Sequence, residues 1–196
     1  MNYSNLQNND NLQEQMENMK QAQLEMRNNY ICGATGIVVS GFMWLLSGLV
    51  AYNYPPKQAV WTLLIGGVLI HPISTIFNKI LGVSGTHSKN NALGNLAMEG
   101  TFFMLMCIPL AYGLSLLRIE WFFQGMLMII GGRYLTFNTL YGNRLFWIIG
   151  ATLGIAGYLL YSLNAQSYVS ALTGSIIEIS YGAFMYIYSR RTQTIV

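Results

Sequence analysis

The sequence predicts an all-α integral membrane bundle of six transmembrane helices, preceded by a polar N-terminal amphipathic helix. Three observations carry this. Hydrophobic residues make up 53% of the 196-residue chain and charged residues only 9%, against about a quarter charged in an ordinary soluble domain. So few charges cannot cover a surface in water. The apolar residues gather in six long runs, and roughly 20 helical residues cross a hydrocarbon core about 30 Å thick. The charges gather in residues 1–29 and in the short breaks between the runs.

Residues 1–29 hold Asp10, Glu14, Glu17, Lys20, Glu25 and Arg27. They lack the basic start and apolar core of a secretory signal. From Leu12 onward, Leu12, Met16, Met19 and Met26 recur at helical spacing among Gln, Glu and Asn, the pattern of a polar helix with a thin apolar seam. Such a helix lies on the membrane surface, pairs with a partner protein or a second copy through residues 12–29, or covers the cytoplasmic mouth of the bundle. The first ten residues are expected to be irregular. The chain then divides into a cytoplasmic segment, 1–29, a membrane domain, 30–190, and a cytoplasmic tail, 191–196.

The expected spans are 30–52, 59–81, 96–117, 121–141, 145–163 and 168–188. Asn53 and the Pro55-Pro56 pair end the first; His71-Pro72 interrupts the second; Pro109 lies inside the third. The later connections are very short, which predicts an up-and-down bundle with sequence neighbours packed as spatial neighbours. Tyr52, Tyr54, Trp61, Trp121, Tyr141, Trp147, Tyr168 and Tyr188 fall near the span ends, where amphipathic rings prefer to sit. Gly150 and Gly154 form a G-x-x-x-G, with Gly157 nearby, and Gly174 and Gly182 flank Glu178 at intervals of four. Small residues so placed let helices approach closely.

Lysine and arginine set the orientation. With six spans, one side holds Lys20, Arg27, Lys79, Lys89, Arg144, Arg190 and Arg191, and the other only Lys57 and Arg118. The positive side faces the cytoplasm, so the protein is read as a multi-pass protein of the cell membrane with both termini cytoplasmic.

The inventory excludes much. No basic stripe with interleaved aromatics points to nucleic acid. Cys32 and Cys107 lie in apolar runs and make no C-x-x-C, so they read as small buried hydrophobes. Asp10 is the only aspartate, which argues against aspartyl intramembrane proteolysis and Asp-rich diphosphate motifs. No phosphate-binding glycine loop appears and no cofactor is implied. Gly82-Val83-Ser84-Gly85 matches the G-x-S-G of rhomboid-type proteases, but the only later histidine is His87 in the same loop; a turn is the better reading. His71, His87, Glu99 and Glu178 lack the paired spacing of a metal site.

Four ionisable residues fall within spans: His71, Glu99, Arg133 and Glu178. An unpaired charge at mid-bilayer costs about 2.5–3.5 kcal/mol on insertion scales, so such residues face the interior, pair, or stay neutral. They spread from mid-membrane to the cytoplasmic half. Ser74, Thr75 and Asn78 share a face with His71; Asn95 lies one turn before Glu99; Thr136 and Asn143 lie on the side of Arg133. Two readings stay open. One is a pocket open to the cytoplasm that binds a small polar or anionic solute at Arg133, with Glu178 and His71 handling protons. The other is an Arg133–carboxylate pair that fixes helix register.

The segments HPISTIFNKILGV, KNNALGNLAMEGTFFMLMCIPLAYG and GGRYLTFNTLYGNRLFWIIGATLGIAGY occur in that order. Over residues 30–165 the chain resembles an uncharacterised family of small bacterial integral membrane proteins, a domain of unknown function. The resemblance implies a multi-pass membrane protein and no particular activity.

Three functions compete. The intramembrane set on helices broken by Gly and Pro favours transport or binding of a small polar solute or ion. The N-terminal helix favours an interaction or sensory module. A lipid-acting enzyme, with His71 as base and Glu99 as acid, lacks a nucleophile constellation. No internal repeat is evident in the sequence, which weakens an inverted-repeat carrier.

Overall fold

The structure, a computed structural model, describes residues 3–193, with side chains for residues 9–191. Among the described residues there are seven α-helices and no strand: α1 Tyr3–Tyr30, α2 Ala34–Asn53, α3 Pro56–Ile80, α4 Leu93–Leu117, α5 Glu120–Tyr141, α6 Leu145–Ser162 and α7 Ser167–Gln193. Helices α2 to α7 fall where the six apolar runs do. The run containing α2, and α3, α4 and α6, are long and apolar enough to cross a membrane. Helices α5 and α7 are less apolar because they carry Arg133 and Glu178 with their polar neighbours. The chain is a membrane protein, and its outer faces fit that solvent. Val68, Met106, Leu110 and Leu163 are each more than 70% exposed, and lipid takes the place of water around them.

Helix α1 starts at Tyr3, so the expectation of irregular structure is corrected for residues 3–10, while residues 1 and 2 lie outside the described residues. A run of Asn and Gln is compatible with a helix that continues the ordered one behind it. Between α1 and α2 the chain turns sharply through Ile31, Cys32 and Gly33, all at positive φ. At Gly33 a Cβ would also meet the Tyr141 ring at 3.1 Å, so both conformation and space call for glycine. The β-branched Ile31 is held in the left-handed region, a costly conformation, with its side chain only 1% exposed.

The packing departs from a simple succession of neighbours. Helix α2 lies between α3 and α7, and α5 lies between α4 and α6. The first and last spans therefore pack along their lengths. Consecutive α3 and α4 do not share a packed face; they meet at the aromatic pair Trp61–Tyr112, 6.2 Å between centroids. The reason is the distribution of small residues. Gly41 lies against Ile179 and Glu178, Gly48 against Leu172, Gly182 against Val38, and Gly174 against Trp44 and Leu127. Each lets α7 close on a neighbour. Gly131 and Gly150 likewise bring α5 and α6 together, each with its would-be Cβ 2.7 Å from the other's carbonyl oxygen. Gly154 offers its backbone nitrogen to the same contact, and Gly157 faces Gln124 and Met128. Helix α4 also has three glycines, but none makes so close an approach to another helix, and it buries only Leu93 and Ala111.

The two halves, α2–α4 and α5–α7, share a pairing plan. In each, the first helix packs on the second, and the first of one half packs on the last of the other.

The far half of α1 stands clear. Leu12, Met16 and Met19 are 56%, 56% and 47% exposed, whereas Met26 on the same seam is buried. The near half, Ala22 to Tyr30, closes over one end of the bundle. Gln23 donates to the Thr139 carbonyl at 2.8 Å, and Arg27 donates to the carbonyls of Tyr141 and Gly142. These satisfy acceptors left open at the α5 terminus. Glu25 accepts from the Ser88 N–H at 2.6 Å, the Ser88 hydroxyl and the Asn91 amide. Together these clasp the 81–92 loop.

Candidate functional site

Inside the bundle the polar groups are sparse and particular. Glu178 on α7 is fully buried. Its Oε1 accepts the Tyr134 hydroxyl of α5 at 3.0 Å, while its Oε2 has no partner. Tyr134 and the buried Ser40 of α2 sit against this carboxyl. The centre is thus the meeting point of α2, α5 and α7. Gly41, one residue past Ser40, brings the α2 backbone onto the Cβ of Glu178, within 3.2 Å of where its own Cβ would stand. Gly174, one turn before Glu178, leaves room for the indole of Trp44, whose Nε1 has no partner.

Arg133, one residue before Tyr134, faces α4. Its guanidinium reaches α4, where it donates to Thr101 Oγ1 at 3.1 Å and to the Met104 sulphur at 3.4 Å, and it lies over the Phe137 ring at 5.5 Å. Its Nε is buried without a partner. Thr136 returns its hydroxyl to the Arg133 carbonyl at 2.7 Å, and Gly100 of α4 fits beside Thr136. Among the described residues the one carboxylate ion pair is Arg118–Glu120, at 3.8 Å. The Arg133–carboxylate pair is therefore not what holds α5. Each charged group has neutral partners instead, which leaves part of the cost of its burial standing.

The structure does not gather the four expected residues into one pocket. Arg133 and Glu178 make no ion pair; the residue after Arg133, Tyr134, is the one that bonds to Glu178. His71 and Glu99 are exposed on the outer faces of α3 and α4. Ser74 and Thr75 donate to the His71 carbonyl at 3.0 and 2.9 Å, a local use of hydroxyls within a helix. Asn78 is buried and accepts from Thr35 at 2.7 Å, clasping α3 to α2. Asn95 is exposed. Asn143 caps α6, accepting from the Leu145 N–H at 3.0 Å. In the G-x-S-G loop, Ser84 donates to the Thr86 carbonyl, while His87 Nδ1 shares a hydrogen bond with the Tyr30 hydroxyl at 2.8 Å. No Ser84–His87 contact is made.

Tyr134, Ser40 and Thr101 were not singled out from the sequence, and neither was Gln124. The buried Gln124 donates to the Leu160 and Ala165 carbonyls and ties α5 to the end of α6. Tyr134 carried a signal: a tyrosine at mid-span, away from the interfaces, needs a buried partner for its hydroxyl. Ser40 and Thr101 carried none, since both hydroxyls resemble those that bond to their own helix.

Two apolar grooves open on the outer surface. One lies between α2 and α3 around Met43, Trp61 and Gly66; the other lies between α6 and α7 around Ile149, Ser180 and Tyr181. Neither is lined by Glu178 or Arg133. Among the described residues no cluster of His, Cys, Asp or Glu is placed to hold a metal ion.

The profile of a family of unknown function (DUF7010) matches residues 19–188. No curated protein and no solved structure matches the chain.

Proposed function

The chain belongs to this family of unknown function, and because the family lends it no activity we propose from its own geometry that it moves or binds a small polar solute or ion across the membrane, with Glu178 as the working group. The carrying observation is the fully buried Glu178 carboxyl, held at one oxygen by Tyr134 and unpartnered at the other. An intramembrane carboxyl without an ion pair is the usual mark of a proton or ion path. Tyr134 orients the group, and Oε2 is the atom that takes or releases a proton when α7 separates from α5. The shared pairing plan of the two three-helix halves supports this reading, because a half with an odd number of spans enters the next half inverted. Inverted halves meeting around a mid-membrane site are a recurrent carrier architecture. The seven-to-two distribution of Lys and Arg supports a multi-pass protein of the cell membrane with both termini cytoplasmic. Of the four residues expected to line a pocket, this reading keeps Glu178 and Arg133 and sets aside His71 and Glu99, which lie on outer faces.

Proton flux into proteoliposomes, followed with an entrapped pH dye, tests it. Glu178→Gln keeps size and polarity but cannot titrate, and should lower flux at least about tenfold, the effect expected when a positioned proton carrier is removed. Unchanged flux in that variant sinks the proposal.

A second reading has its own observation. The exposed Leu12, Met16 and Met19 continue the seam whose Met26 is buried, with the alternating four-and-three spacing of a helix-pairing surface. It makes the outer half of α1 a docking arm for a partner helix or a second copy. Co-purification that survives deletion of residues 1–21 would count against it.

A further inference from the structure

We infer that Arg133 is the cationic half of an anion-binding site between α4 and α5, taking a small oxyanion or the phosphate of an anionic lipid. The guanidinium has five donors in a rigid fork, a geometry matched to a planar or tetrahedral oxyanion. What it finds within the chain is poorer. The Thr101 hydroxyl already donates to the Ala97 carbonyl at 2.9 Å and offers only a lone pair. The Met104 sulphur is a weak acceptor. The Phe137 ring supplies a face, and Nε finds nothing. No carboxylate among the described residues pairs with the charge. Glu178 is engaged by Tyr134 and makes no ion pair with Arg133, and Glu99 is exposed on α4 without a hydrogen bond.

The covering wall is also thin where the anion would enter. Helix α4 buries only Leu93 and Ala111, and opposite Thr136 it presents Gly100. Met104 is a flexible thioether that swings aside at little cost. Arg133 lies eight residues from the end of α5 at Tyr141, about 12 Å along the helix axis, so an anion from that interface meets the guanidinium by entering between α4 and α5. An anion entering there would displace Met104 and bond Nε and the terminal nitrogens together.

This rests on the transport or binding reading and names its substrate class: an anion at Arg133 of α5, with the proton at Glu178 of the neighbouring α7. The two sites are joined by the consecutive residues Arg133 and Tyr134.

The full chain in phosphatidylcholine nanodiscs tests it by thermal unfolding. Inorganic phosphate is titrated against sodium chloride at equal ionic strength, and separate discs contain phosphatidylglycerol. A ligand of the folded state raises Tm with concentration. A rise with phosphate that vanishes in Arg133→Gln supports a small-anion site; a rise with phosphatidylglycerol alone that vanishes in the same variant supports a lipid phosphate. No rise with either, or equal rises in the wild type and Arg133→Gln, overturns the proposal. Should Arg133→Gln fail to fold, Arg133→Lys keeps the charge and loses the fork. Affinity about tenfold weaker is then expected, the equivalent of one good contact, and equal affinity overturns the site. Because the readout is binding, phosphate binding retained in Glu178→Gln, whatever its flux, separates the fate of this site from that of the proton path.

Discussion

The Tyr134 hydroxyl donates to Glu178 Oε1 across 3.0 Å at a position where both residues are closed off from solvent. The bond joins two helices that also meet where Leu127 packs on Gly174. Tyr134→Phe takes away the donor at Oε1, and a buried polar group stripped of its partner costs about 1–3 kcal/mol. The variant should unfold at lower temperature than the wild type. Replacing both partners with apolar groups removes that penalty, so Tyr134→Phe/Glu178→Leu should recover most of the loss. A double variant less stable than Tyr134→Phe alone would show that the bond is not what sets the stability of this crossing.

At the α5–α6 crossing, Gly131 and Gly150 each sit 2.7 Å, measured from a would-be Cβ, from the other's carbonyl oxygen. Backbone cannot move aside as a flexible side chain can. Gly150→Val should therefore push the helices apart and cost about 1–3 kcal/mol, the usual range for overpacking. Gly154→Ala is the control: a Cβ there meets nothing within 4 Å, and, alanine being the better helix former, it should leave the unfolding temperature unchanged or raise it by a few degrees. A large loss from Gly154→Ala, or none from Gly150→Val, would misplace the contact.

The contrast between those glycines shows what could be read in the sequence. The G-x-x-x-G pattern pointed to a close crossing, and the crossing is there, but the pattern could not say which glycine bears the contact or against which helix. The six apolar runs were legible because span length is a local property of about 20 residues. The α2–α7 pairing was not, because small residues name a face and not the neighbour that fills it. The same limit applies to the charges. Arg133 and Glu178 were recognisable as residues that need company, yet their companions are the neutral Thr101, Met104, Tyr134 and Ser40. Asn78 was grouped with His71 by helical phase, and its amide is spent on Thr35 of α2. Helical phase places a side chain around its own axis and leaves the partner helix undetermined.

Glu25 gives a pH dependence. The Ser88 backbone N–H, then the Asn91 amide, hold its carboxyl below the ordinary 4.5. A group whose pKa is depressed on docking contributes stability that is present above its free value and lost as pH falls through the docked one. The clasp between α1 and the 81–92 loop should thus be intact at neutral pH and loosen below about pH 4.5. Amide exchange over residues 82–92 should accelerate there, and Glu25→Gln should show the fast rate already at neutral pH. Exchange in Glu25→Gln that matches wild type at pH 7 would remove Glu25 from the clasp.

The two halves of α1 should separate under truncation. Residues 9–21 are exposed throughout, whereas Gln23, Glu25, Arg27, Asn29 and Tyr30 hold Thr139, Ser88, Tyr141, Gly85 and His87. Deleting residues 1–21 removes no buried side chain among the described residues 9–21, and the unfolding temperature of the bundle should stay close to wild type. Deleting residues 1–29 strips the carbonyls of Tyr141 and Gly142 and uncovers Cys32 and Tyr141. The loss should be at least about 2 kcal/mol, since several hydrogen bonds worth about 1 kcal/mol each are removed together. Arg27→Ala should reproduce part of it, through the carbonyls at the α5 terminus. If both truncations unfold alike, α1 is an appendage along its whole length; if the shorter one already destabilises the bundle, its outer half is packed against something the free chain provides. The expected split, neutral to residue 21 and costly beyond it, makes residues 22–30 the cover of the bundle and leaves the outer half available for other contacts.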